Sequence, residues 1–84
     1  MKTSPQLRAT TMEVLDNQLR ENNPPETKET YERLLAEGHS VAQTREQIAS
    51  VILTEIYEVL KQNQPFNHER FVAALKQLPR LPLT

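Results

Sequence analysis

The 84-residue sequence contains no cysteine and no tryptophan, and it has a single glycine. Without cysteine, the chain cannot form disulfides or zinc–thiolate sites, which fits a protein of the reducing cytoplasm. A single glycine also argues against a phosphate-cradling loop, because such loops need several glycines for close backbone approach. These absences exclude several common kinds of functional site before any motif is considered.

An excess of one charge is also missing, since ten Lys and Arg residues oppose eleven Asp and Glu residues, for a net charge of −1. A chain without a basic excess has no electrostatic footprint for nucleic acid or an anionic membrane surface. Charged residues interrupt every apolar stretch well before the roughly 20 residues that a transmembrane helix needs. The first ten residues lack the apolar run of a signal peptide. We therefore expect a soluble cytoplasmic protein without a membrane anchor.

The stretch from Ser40 to Gln62 holds the densest apolar content of the chain and has neither glycine nor proline. Its apolar residues recur at helical spacing and do not alternate as in a strand. Ser40 predicts an N-cap, and Gln43 can complete a capping box. On a wheel of about 100° per residue, apolar side chains fill an arc of roughly 140°: Val41, Ala42, Ile48, Ala49, Ile52, Leu53, Ile56, Val59 and Leu60. An arc this wide can contact several helices, so we expect this to be the core helix.

Proline and glycine divide the rest of the chain into three further predicted helices. Ser4 and Pro5 suit a helix start, and the Pro24-Pro25 pair stops one helix before the next begins. Gly38 suits a left-handed C-cap, and Asn67 predicts the N-cap of the last helix.

The sequence therefore predicts a single all-α domain, a small and mostly antiparallel bundle of four helices with a long central third helix. Phe66, which precedes the last N-cap, can pack on Phe71 as a hydrophobic staple. The expected boundaries are residues 5–22, 26–37, 41–62 and 68–78, followed by an extended tail over residues 79–84.

No motif in the sequence indicates catalysis, a cofactor or a metal. His39 and His68 lie at helix starts without metal-ligand spacing, and no nucleophile–base pair is evident. Arg45 falls inside the apolar arc, where it is either an anion ligand, an ion-pair partner for another helix, or a side chain that packs its stem and extends its guanidinium to water. A ligand-binding hypothesis would place Arg45, Glu55 and His39 in one polar pocket. We expect neither an enzyme nor a cofactor.

A protein-interaction or assembly module, self-associating as a homodimer, is the function we expect. The apolar arc of the third helix is wider than short neighbouring helices can cover, and small domains with a lean core often gain stability by oligomerising. Val51 and Tyr57 are the expected interface residues. Leu81 and Leu83 in the tail either close the end of their own bundle or dock on a partner.

The alternative is a nucleic-acid-associated regulatory protein that contacts phosphates through residues such as Arg45 and Lys61. This hypothesis has little support, because the exposed side of the candidate recognition helix carries few positive charges. Nucleic acid is therefore not an expected partner.

Four structural motifs lie between residues 38 and 82: a Gly-His-Ser helix start, an Ile-Ala-x-Val-Ile-x-x-Glu-Ile-Tyr-Glu-Val-Leu core, a Pro-Phe-Asn restart and an Arg-Phe-x-x-Ala-Leu-x-x-Leu-Pro ending. With these motifs, about half of the chain resembles a short bacterial all-helical domain of unknown function. The resemblance implies a helical fold, and it implies no activity, cofactor or functional residue.

Overall fold

A computed structural model describes residues 5–80 of the chain. These residues form four α-helices and no strand, which confirms the predicted all-α fold with a long third helix. Each predicted boundary lies within one residue of the observed one. The helices are α1 (Pro5–Glu21), α2 (Pro25–Ala36), α3 (Val41–Gln62) and α4 (His68–Gln77).

The ends of the helices follow the predicted local chemistry. The Ser40 side chain accepts a hydrogen bond from the Gln43 backbone N–H at 3.0 Å, and the Gln43 side chain accepts one from the Ser40 N–H at 2.9 Å. This reciprocal pair is the predicted capping box. Gly38 has a φ of +102°, as a left-handed position between α2 and α3 requires.

The start of α4 is also as predicted. Asn67 Oδ1 accepts a hydrogen bond from the Arg70 backbone N–H at 2.9 Å, and the rings of Phe66 and Phe71 lie 5.4 Å apart. The predicted cap at Ser4 and the tail residues Leu81 and Leu83 lie outside the described residues.

Contacts at the two ends of the bundle show that successive helices run in opposite directions. At one end, here called the upper end, Thr27 donates a hydrogen bond to Gln18 at 2.8 Å, so α1 finishes where α2 starts. At the lower end, Arg33 near the end of α2 bonds to the Leu78 carbonyl after α4. The result is an up-down-up-down bundle, as the short connections favour.

The four helices do not contact one another equally. Helices α2 and α3 each pack against the other three helices, whereas α1 and α4 share no backbone contact within residues 5–80. One buried cluster joins all four helices and the residue after α4: Leu15, Leu34, Ile48, Val51, Ile52, Phe71, Leu75 and Leu78.

The buried face of α3 is rotated by roughly 70° from the centre of the predicted arc, taking 100° per residue. Its buried residues are Thr44, Ile48, Ala49, Val51, Ile52 and Glu55. Val51 is only 1% exposed, so the prediction that it contributes to an interface is wrong. The predicted arc contains apolar residues alone, whereas packing in the fold also buries Thr44, which has a short side chain, and Glu55, which forms an ion pair. In consequence, the opposite flank of the arc is left uncovered.

Substitutions of two valines on α3 test which face is buried, because Val41 belongs to the predicted arc and Val51 does not. Val51→Ala should lower the free energy of unfolding by about 1–3 kcal/mol, because it removes methyl groups from the packed core. Val41→Ala is the matched control, since Val41 is 52% exposed and its truncation should change stability by less than about 0.5 kcal/mol. Urea unfolding followed by circular dichroism measures both. Equal losses for the two variants would contradict the observed burial.

Arg33 joins α2 to the end of α4. Its guanidinium donates to the backbone carbonyls of Leu75 and Leu78, each at 3.1 Å, and to the Glu37 carboxylate at 3.1 Å. The Leu75 carbonyl also accepts a hydrogen bond from the Leu78 backbone N–H at 3.2 Å, and Arg33 adds a charged donor at this helix end, where carbonyls lack partners within the helix.

Arg33→Met should lower the free energy of unfolding by about 1–3 kcal/mol, because two carbonyls at the end of α4 lose their charged donor while the apolar stem is kept. Lys28→Met on the exposed side of the same helix is the control and should have little effect. Urea titrations of both variants decide the point, and an Arg33→Met protein as stable as the control would contradict this role.

Candidate functional site

An apolar groove of about 230 Å³ opens at the upper half of the bundle, where α1 and α4 do not contact each other. Helix α3 forms its floor, α1 one wall, and the segment from Phe66 to Phe71 the other. The groove is lined by Val14, Gln18, Ile52, Glu55, Ile56, Val59, Leu60, Phe66 and Phe71. We refer to this feature as the α1–α4 groove.

The rim of the α1–α4 groove carries the largest exposed apolar side chains near that end of the bundle. Leu60 is 71% exposed and Phe66 is 49% exposed. Val14, Ile56 and Val59 are partly exposed around them. Single exposed apolar residues are ordinary, but several of them around one concavity form a continuous surface that favours contact with another apolar surface.

The chain reversal after α3 explains why the groove stays open. Asn63 ends α3 in the left-handed conformation, with a φ of +53°, and the segment through Phe66 leads into α4. Helix α4 has only ten residues, about 15 Å of length, against 22 residues in α3. Arg70 in the first turn of α4 is bonded to Glu55, about two turns before the end of α3 at Gln62, so the last two turns of α3 have no part of α4 beside them.

One ion pair lies among the apolar lining. Arg70 Nε donates to Glu55 Oε2 at 2.7 Å, and Arg70 Nη2 donates to Oε1 at 3.0 Å. The Glu55 side chain is 6% exposed, whereas that of Arg70 is 44% exposed. Hydrogen bonding to this carboxylate raises the pKa of Arg70 above its ordinary value. The pair allows a carboxylate to lie inside the groove with both oxygens bound.

The polar pocket of the ligand-binding hypothesis does not form within residues 5–80. Arg45 Nη2 forms a salt bridge with Asp16 Oδ1 of α1 at 2.8 Å. Glu55 is paired with Arg70 and not with Arg45. His39 lies before the start of α3, and its Nδ1 is 3.4 Å from Gln47 Nε2. Tyr57 is partly buried on α3, and nothing in the structure tests its predicted interface role.

Most arginines of the described chain face carboxylates or carbonyls. Arg8 forms a bidentate pair with Glu46, which raises the pKa of Arg8 and lowers that of Glu46, mainly through the hydrogen bonds between them. Arg33, Arg45 and Arg70 are engaged as described above. The charge of these arginines is therefore neutralised in place, and they form no basic surface for phosphates.

Two further features of the described residues bear on function. They contain no group of three potential ligands from His, Asp and Glu arranged to hold a metal ion. Among the four helices, none combines the length and the apolar character needed to cross a bilayer.

Comparisons with protein-family models, with curated proteins and with solved structures find no match to this chain. The resemblance of residues 38–82 to a bacterial helical domain therefore stays a prediction. Function has to be argued from the α1–α4 groove itself.

Sequence reasoning missed Phe66, Val14 and Arg70 as parts of one site. The sequence predicts Phe66 only as part of a hydrophobic staple, and it predicts no role for Val14 or Arg70. Glu55 and Arg70 lie on different helices, α3 and α4, so no periodicity within one helix connects them. The wide apolar arc of α3 was the one signal of the site in the sequence.

We expect the Glu55–Arg70 pair to contribute to the stability of the fold. Arg70→Met should lower the urea midpoint, because it leaves the buried Glu55 carboxylate without a charged partner. Arg8→Met is the matched control: it breaks a pair in which both side chains are more than half exposed, and it should shift the midpoint less.

A second substitution tests whether the loss of stability comes from the unpaired Glu55 carboxylate or from the loss of the Arg70 side chain itself. Adding Glu55→Leu to Arg70→Met should recover stability, because it removes the unpaired buried charge and leaves apolar surface in its place. If the Arg8 and Arg70 variants lost the same stability, or the double variant recovered none, the pair would not have the role assigned to it.

Proposed function

We propose that the chain is a small protein-interaction module that self-associates, in its simplest form as a homodimer, through the α1–α4 groove. The observation that supports this is the uncovered apolar surface at the groove, where Leu60 is 71% exposed and Phe66 is 49% exposed. Covering that surface removes apolar area from water, which is the main favourable term in protein association.

The size of the domain favours assembly for a second reason. A chain of 84 residues buries a smaller fraction of its surface than a larger domain, and this one has no disulfide to compensate. Small domains of this kind often gain stability from association with another chain. The near-neutral net charge of −1 adds little repulsion between two copies.

The volume of the groove favours a protein partner over a small molecule. Ligand pockets typically enclose about 300–1,000 Å³ and surround most of their ligand. The α1–α4 groove has about 230 Å³ and is open to solvent. Its one charged pair is internally satisfied, so it offers few free polar groups to orient a small ligand. Apolar side chains from a second protein surface suit such a site better.

Static light scattering over a dilution series tests the proposal directly. We expect a molar mass that rises from 9.7 kDa for one chain toward twice that value as concentration increases. A mass of one chain at every concentration up to millimolar would contradict self-association.

Leu60→Gln tests whether the groove is responsible. The substitution should raise the dissociation constant of the dimer at least tenfold, because it replaces the most exposed apolar residue at the groove with a polar residue that suits a helix. Val41→Gln is the matched control, because Val41 is also apolar and exposed but lies at the opposite end of α3. Both dissociation constants come from the same scattering series, and equal weakening by the two substitutions would argue against the groove.

A further inference from the structure

We draw no further inference here: the strongest candidate, the apolar face that Ile56 and Leu60 of α3 present at the α1–α4 groove, belongs to the site already described, and nothing in the structure shows which surface of a partner covers it.

Discussion

Burial of the α3 face that contains Ile48, Val51 and Ile52 is the constraint on which the rest of the structure depends. Helices α2 and α3 contact all the other helices, and their contact forms the middle of the bundle. Because that contact holds α1 and α4 on different sides, the backbones of these two outer helices make no contact within residues 5–80. The space between them is the α1–α4 groove, so the candidate site is a direct consequence of how the core is packed.

An ion pair makes it possible to bury a carboxylate on this face. The buried face includes Thr44 and Glu55, and a carboxylate in such a position is unfavourable unless it is paired. Arg70 from α4 supplies two hydrogen bonds to Glu55, and the same contact secures the first turn of α4 against α3. In effect, a polar pair occupies core surface that apolar residues could have filled. Leu60, which is 71% exposed, remains outside the core.

Local features of the fold followed from the sequence closely. The capping box at Ser40, the left-handed Gly38, the cap at Asn67 and the staple between Phe66 and Phe71 are all present where they were expected. Each depends on residues within a few positions of one another, so local chemistry is enough to predict them. The wide arc of α3 also indicated that part of the helix would stay uncovered, although Val51 was assigned to the wrong side.

The sequence by itself therefore determined the helices, their ends and their class of fold, because those depend on interactions along the chain. Only the tertiary structure decided which face of α3 is buried, since that depends on three other helices packing at once. It also decided that Glu55 meets Arg70 and that Arg45 meets Asp16, pairs that no single helical period relates. The α1–α4 groove belongs to this second group, because it is a gap between elements far apart in the sequence.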